Sequence, residues 1–290
     1  MSRTNRTVFL NGEYVPHEEA KIPVEDRGFL FSDALYEVVR IYNGVPFTLD
    51  RHVKRMEQGA QAVRLDYPYS LEDFEAIISE LVKVNDMPES SAYIQVTRGA
   101  APRQHLFPKD ASPTVLVMLN PVSPKSREER LAGTTCITLP DYRYAFCAVK
   151  GTGLLPNILA CQKANDAGAF EAILVRDGLV TEGTNTNVYM VKEGAVRTYP
   201  LVNILPGITR SVLKDIAGED DISFLEEAFG VDQLYEADEV FVTGSVMEIM
   251  PITAVDGRQI GDGTAGPVTQ KLIDLYARRV ERDCGRYSQT

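Results

Sequence analysis

The chain is expected to fold as an α+β protein of two domains, and three observations carry that expectation. Five dipeptides that suit two-residue hairpins, Asn11-Gly12, Asn43-Gly44, Asp177-Gly178, Glu193-Gly194 and Asp256-Gly257, are each flanked by strand-forming residues, so antiparallel pairing is common. Helical patterns lie between these strands, but not in the regular alternation that builds a parallel sheet. Residues 121–130 combine prolines, serines and a charge run without apolar periodicity, as a linker does. They divide a smaller N-terminal α/β domain (1–120) from a larger C-terminal one (131–290), in keeping with 290 residues at roughly 150 per domain.

In chain order, the first hairpin joins Val8–Leu10 to Tyr14–Val15, and the second joins Val38–Tyr42 to Val45–Phe47. A helix begins at Asp50 and presents Val53, Met56, Ala60 and Val63. Ser70 caps a second, with Leu71, Phe74, Ile77, Ile78 and Leu81 on one face. Strands follow at Ala92–Arg98 and Thr114–Leu119. Beyond the linker come a strand at Thr135–Leu139 and a helix from Pro156, a favoured first-turn residue, to Gly168, a natural stop. Strands at Glu171–Arg176, Asn187–Lys192 and Glu239–Thr243 and helices over Ile208–Ala217, Asp232–Ala237 and Pro267–Arg282 complete the pattern.

Composition excludes several functions. The 30 Lys and Arg against 41 Asp and Glu leave a net charge of -11, which repels nucleic acid. The four cysteines (Cys136, Cys147, Cys161, Cys284) form no CxxC pair and read as reduced core residues, and the three histidines form no HExxH, so no metal site is expected. No apolar run approaches the ~20 residues that cross a bilayer, and residues 1–10 lack a signal-peptide core. No membrane association and a cytoplasmic location are expected.

Several motifs carry chemistry. Gly261-Asp-Gly-Thr-Ala-Gly266 matches the dinucleotide fingerprint in letters, but a Rossmann unit needs a second parallel strand after the helix, with its acidic residue about 20 positions on, and the chain that remains has no room for that strand, so it reads as a Gly-rich turn. Lys150 interrupts the apolar run Tyr144–Val149. Partial burial would lower its amine pKa and make it a nucleophile or Schiff-base former, while a strand-end lysine reaching to water is the alternative. Glu182 lies in the polar stretch Val180–Asn187, expected to be a site-building loop or an ordinary solvated one. Arg103 and His105 are two apart, so in an extended segment both face one way and can grip a carboxylate; two solvated loop residues are the alternative. Leu205-Pro-Gly-Ile-Thr-Arg210 sets Gly207 before a helix whose first turn, with Ile208 and Thr209, suits a phosphate, and Thr243-Gly-Ser245 is a second oxyanion candidate.

Taken in order, Arg55, Arg103 and His105, Lys150, Val180-Thr-Glu-Gly183, Gly207-Ile-Thr-Arg210 and Val242-Thr-Gly-Ser245 resemble the fold-type IV pyridoxal-phosphate enzymes, the class-IV aminotransferase family. The resemblance extends through Glu25-Asp-Arg-Gly28, Leu35-Tyr-Glu-Val-Val39 and Phe170–Leu174, and is nearest to the branch that acts on D-amino acids. It implies that Lys150 is the catalytic residue, holding pyridoxal 5′-phosphate as a Schiff base and moving protons in a ping-pong cycle, and that Glu182 keeps the pyridine nitrogen protonated. By the same resemblance Arg55, Ile208, Thr209 and Ser245 hold the phosphate, Leu205 lies at the cofactor, and Tyr36, Arg103 and His105 bind the α-carboxylate of an amino acid or 2-oxo acid. It further implies a homodimer whose site lies between domains and takes its Arg-x-His loop from the partner chain. Around the lysine, Phe146-Cys-Ala-Val-Lys-Gly-Thr-Gly153 departs from the family's usual Arg-Cys-Asp-Ile-Lys-Ser-Leu-Asn. Branched-chain L-amino-acid transaminases, (R)-amine transaminases and aminodeoxychorismate lyases share the lysine and glutamate, so Arg103 and His105 discriminate.

Overall fold

The computed structural model describes residues 6–285; residues 1–5, on which the reading of the amino-terminal segment partly rests, lie outside them. Residues 6–123, 149–153 and 283–285 form one compact unit, and residues 124–148 and 154–282 a second.

The first unit is an antiparallel sheet covered by helices. Its elements are β1 (Thr7–Leu10), β2 (Glu13–Pro16), α1 (Arg27–Phe31), β3 (Ala34–Tyr42), β4 (Val45–Pro46), α2 (Leu49–Val63), α3 (Leu71–Asn85), β5 (Ser90–Thr97) and β6 (Thr114–Pro121). The strands lie in the order β2-β1-β6-β5-β3-β4. Strand alternation sends Leu35, Val39, Ile94 and Val117 into a core with Met56 of α2 and Ile78 of α3, while Tyr36, Val38, Tyr93 and Gln95 remain half-buried. Ser70 and Asp73 form a reciprocal capping box that starts α3. Residues 150–152 return to this unit and run beside the start of β3: Tyr36 N donates to Lys150 O (3.0 Å) and Thr152 N to Ala34 O (3.2 Å).

The second unit holds α4 (Arg127–Leu131), β7 (Thr134–Pro140), α5 (Leu155–Asp166), β8 (Glu171–Arg176), β9 (Leu179–Gly183), β10 (Asn187–Lys192), β11 (Ala195–Thr198), α6 (Ile208–Glu219), β12 (Phe224–Glu226), α7 (Val231–Tyr235), β13 (Glu239–Gly244), β14 (Glu248–Val255), β15 (Arg258–Gln259) and α8 (Pro267–Cys284, to Arg282 in this unit). The sheet order is β12-β11-β10-β13-β14-β7-β8-β9, with β15 on β14. Among the described strands, only β11–β12, β14–β7 and β7–β8 pair in parallel. The architecture is therefore the α+β, antiparallel-rich one read from the sequence.

All five hairpin dipeptides close two-residue turns with positive φ at both positions, for example Asn11 (50°) and Gly12 (96°). Three elements depart from expectation. α1 and α4 are five-residue helices, too short to show a period, and β12 is a three-residue strand. α4 arises within the expected linker because Ser126 and Glu129 form a capping box, and its Arg130 is buried against Glu248 (3.0 Å). Of the cysteines, Cys136 and Cys284 are buried, but Cys147 is half-exposed and Cys161 exposed on α5, so only two belong to a core.

The Gly261–Gly266 stretch is a turn leading into α8. The Glu239 carboxylate caps that helix, accepting from Val268 N (2.9 Å) and Thr269 N (2.7 Å), and a Cβ at Gly266 would lie 2.2 Å from it. An anion already occupies the place a dinucleotide phosphate needs.

Candidate active site

In the first unit the candidate lysine is set by main-chain bonding. With its carbonyl tied to Tyr36, half-buried Lys150 places Nζ 4.2 Å from the centre of the Tyr36 ring. The next residue on β3, Glu37, points into the core, where α2 supplies its partners at helical spacing. Arg55 donates from Nε (2.7 Å) and Nη2 (2.6 Å), and His52 donates from Nδ1 (2.7 Å). Burial alone would raise the Glu37 carboxyl, but Arg55 and His52 hold it far below the carboxylate range. Burial, with Arg55 and Lys150 nearby, lowers the His52 pKa against the pull of Glu37, so its ring is neutral and its Nδ1–H is the donor. The same unit raises the Tyr36 hydroxyl, chiefly by burial and then by Glu37.

Arg103 and His105 lie on the exposed loop between β5 and β6. The segment bends rather than running extended, yet both side chains reach one ring: Phe31 has the Arg103 guanidinium 5.0 Å from its centre and the His105 imidazole edge-on at 5.6 Å.

In the second unit Glu182 is not in a loop. It belongs to β9, and only residues 184–186 turn before β10 begins. This polar strand is buried because its side chains are partnered: Thr181 donates to Leu174 O (3.0 Å), and Arg143 Nη1 donates to Glu182 Oε1. Thr184 and Thr186, beyond the strand, donate hydroxyl hydrogen bonds to Glu171 (2.6 and 3.0 Å). Asn187 Nδ2 reaches Glu182 Oε2 (3.2 Å) and Leu205 O (3.1 Å), and Leu205 N is shared between both Glu182 oxygens (3.2 and 3.1 Å). Burial pushes the Glu182 carboxyl up, while Arg143 and Leu205 N–H pull it back. Three donors reach this carboxylate through four contacts, two on each oxygen, because the Leu205 N–H is bifurcated.

Two residues after Leu205, Gly207 opens α6 without a side chain to cap the first-turn amides of Ile208 and Thr209, both buried. A Cβ there would lie 2.0 Å from Asn187 Oδ1, so glycine is what lets the helix start beside the Glu182 network. Ser245 follows the end of β13, two residues past Thr243, which pairs with Asn187 across the β10–β13 ladder.

Tyr36, Arg55 and Lys150 thus gather in the first unit, with Arg103 and His105 on its loop, while Glu182, Leu205, Ile208, Thr209 and Ser245 gather in the second. Sequence reasoning missed the residues that hold these: Glu37 and His52 beneath Arg55, and Arg143 and Asn187 around Glu182. Glu37 did leave a signal, since alternation on β3 turns it inward with Leu35 and Val39, and an inward carboxylate requires hydrogen-bonding partners, of which a cation is the strongest.

A lysine, two partnered carboxylates and an uncapped helix start on this fold define a class of protein. The chain belongs to the class IV amino-transferase family, whose model matches residues 34–255, and it is an aminotransferase. The D-alanine aminotransferase of Bacillus licheniformis is 41% identical over 266 residues, 91% of this chain and 94% of that protein. That of Staphylococcus epidermidis is 42% identical over 275 residues, 94% of this chain and 98% of that protein. Among solved structures, the branched-chain aminotransferase of the archaeon Thermoproteus uzoniensis, solved with norvaline, superposes with a TM-score of 0.86 at 30% identity, covering 95% of this chain and 94% of that one.

Proposed function

We propose that this aminotransferase, with pyridoxal 5′-phosphate as its cofactor, takes the amino group of a D-amino acid such as D-alanine or D-glutamate and delivers it to a 2-oxo acid such as 2-oxoglutarate. The observation that carries the choice of substrate is the meeting of Arg103 and His105 on Phe31, two exposed groups able to receive one carboxylate. The D-alanine aminotransferases at 41% and 42% identity support the same reading.

The donor set fits the cofactor group by group. A buried arginine (Arg55), the uncapped amides of Ile208 and Thr209, and the hydroxyls of Thr209 and Ser245 suit a phosphate. The buried Glu182 carboxyl, with its raised proton affinity, suits a pyridinium N–H, and Leu205, whose N–H is tied to Glu182, would belong to the cofactor site. When bound, the cofactor supplies an aldehyde carbon that condenses with amines and a ring that accepts the electron pair released at Cα.

Lys150 Nζ would hold the cofactor through that aldehyde carbon and, as a free amine, would serve as the base that takes the proton from the substrate Cα and the acid that returns it. The Glu182 carboxylate keeps the ring nitrogen protonated, and Arg143 opposes the burial that would otherwise neutralise it. Tyr36, Arg103 and His105 fix the α-carboxylate and so choose which face of Cα meets Lys150. With a 2-oxo acid the same residues run the proton transfer in reverse.

We further propose a homodimer with the site shared across its interface, and a cytoplasmic location. α5 exposes the apolar stripe Leu155, Ile158 and Leu159, while its Ala160 and Ala164 face inward; Phe29 and Leu106 of the first unit are about four-fifths exposed. The free thiols suit a reducing compartment.

The test is a half-reaction on the purified, cofactor-loaded enzyme, following its visible absorbance after D-alanine, L-leucine or (R)-1-phenylethylamine is added. Bleaching by D-alanine alone is expected. Bleaching by L-leucine or the amine would assign a sister activity of the fold, and a colourless protein would overturn the reading altogether.

A further inference from the structure

We infer that Arg27 and Phe31, one helical turn apart on α1, are positioning residues that hold Arg103 and His105 in carboxylate-binding geometry. The inference rests on the reading of Arg103 and His105 given above.

α1 is pinned to the strand ends that the 98–113 loop connects. The buried carboxylate of Asp26 caps the helix through Gly28 N (2.8 Å) and accepts hydroxyl hydrogen bonds from Thr97 of β5 (2.9 Å) and Thr114 of β6 (2.7 Å). Gly28 allows the close approach, since a Cβ there would lie 2.5 Å from Thr97 Cγ2. From this base the Arg27 side chain, 4% exposed, reaches in two directions. Its Nε donates to Asp33 (2.8 Å), and its Nη1 donates to the carbonyls of Gln104 (2.6 Å) and Leu106 (3.4 Å), the residues on either side of His105. Fixing those peptide planes fixes where the Cα–Cβ bond of His105 points.

Asp33 joins this anchor to the other end of the loop. It also accepts from Arg98 Nε (2.8 Å); the remaining nitrogens of Arg98 bind Arg64 O and Val63 O, and its guanidinium lies 3.8 Å from the centre of the Phe107 ring. The base of the loop closes tightly: Gly99 has φ +89°, and a Cβ there would lie 1.9 Å from Ser112 O. Burial would raise the Asp33 carboxyl, but Arg98 and Arg27 hold it below its ordinary value, so the anchor stays charged. Phe31 then serves as the platform, with Arg27, Arg103 and His105 all packed on its ring. A loop without regular structure places two side chains accurately only if its backbone is tied, and Arg27 ties it where the accuracy is needed.

Arg27 itself contacts main chain and Asp33, not the substrate. Loss of its fork therefore weakens capture of a carboxylate while leaving the chemistry at Cα intact. The experiment compares holoenzyme with Arg27→Lys, Phe31→Leu and Arg103→Ala. It measures kcat and KM for D-alanine together with hydrogen exchange of amides 101–108 in the absence of substrate.

Arg27→Lys keeps a charge beside Asp33 but cannot span both carbonyls. It is expected to raise KM about tenfold or more at nearly constant kcat and to speed exchange within 101–108 alone. Phe31→Leu, at a half-buried position, leaves the Arg27–Asp33 pair in place and is expected to raise KM in the same sense with little change in exchange. An unchanged KM in both variants, or equal losses in kcat and kcat/KM with exchange rising across the whole first unit, overturns the inference. If Arg103→Ala leaves KM unchanged, the carboxylate site itself is wrong; if Arg103→Ala raises KM and the α1 variants do not, only the inference falls.

Discussion

Glu37 on β3 and Glu182 on β9 are both nearly sealed from water and both face an arginine, yet the first carboxyl is driven far below its ordinary pKa and the second is raised. The difference lies in how each arginine is shared. Arg55 gives Glu37 both Nε and Nη2, and neutral His52 adds a third donor. Arg143 gives Glu182 only Nη1, because its Nε and Nη2 serve Asp141, whose own negative charge adds to the upward push. Two buried ion pairs thus do different work. Glu37 is held ionised and fixes Arg55, whereas Glu182 keeps a raised proton affinity that a bound cation can change.

Replacing the lysine makes the largest break. Lys150→Ala is expected to lower steady-state turnover of D-alanine with 2-oxoglutarate by about 10⁴-fold or more, because one amine is both the cofactor's anchor and the proton carrier. Its melting curve should stay close to the parent's, since Tyr36 N binds the main chain of residue 150.

The two glutamates then separate by observable. Glu182→Gln is expected to cost roughly 10²-fold or more in kcat while leaving stability nearly unchanged, because Arg143 keeps Asp141 as its partner. Glu37→Gln is expected to cost about 3–5 kcal/mol in urea unfolding, because it leaves Arg55 buried without its counter-charge. A Glu37→Gln variant that unfolds like the parent would remove the distinction.

The pH dependence sharpens it with opposite signs. The folded pKa of Glu37 lies below its unfolded value, so its contribution is full above about pH 4.5 and fades as pH falls through the folded value. Parent and Glu37→Gln stabilities should accordingly converge only in strong acid. For Glu182 the folded pKa is raised, so the ionised carboxyl opposes folding above that pKa, and acidification through it relieves the opposition. Paired unfolding curves between about pH 3 and pH 8 would check both signs.

These contrasts also mark what could be read before the structure and what could not. The hairpins were readable because an Asn-Gly or Asp-Gly turn is settled by two residues with positive φ, and α2 and α3 because fifteen residues display a period. α1 and α4 last barely one turn, so nothing periodic announces them. Lys150 stood out by breaking an apolar run. The sequence points to a loop at Glu182 because hydropathy does not register that threonine and glutamate can be buried once partnered, and those partners come from distant segments: Arg143 is 39 residues upstream and Leu205 23 downstream. Arg27 lay in the Glu25–Gly28 motif, but its role depends on carbonyls 77 and 79 residues away, which no local pattern encodes.

A third buried carboxylate bounds the comparison from below. Among the described residues, Glu171 has no hydrogen-bonding cation: its Oε1 accepts from Thr184 Oγ1 (2.6 Å), Thr184 N (3.2 Å) and Ala172 N (2.8 Å), and its Oε2 from Thr186 Oγ1 (3.0 Å). Glu171→Gln therefore strands no charge. The glutamine oxygen can take over the Oε1 contacts, and the Thr186 hydroxyl can rotate to accept from the new NH₂ group. The expected cost is about 1 kcal/mol, the worth of exchanging charge-assisted hydrogen bonds for neutral ones, against about 3–5 kcal/mol at Glu37. Activity should fall little, because the turn after β9 keeps its Gly183 N to Thr186 O bond (2.7 Å) and Asn187 stays beside Glu182. If Glu171→Gln instead proved as costly to stability as Glu37→Gln, the charge left behind on an arginine would not be what separates these sites, and the geometry of the 183–187 turn would have to carry the difference.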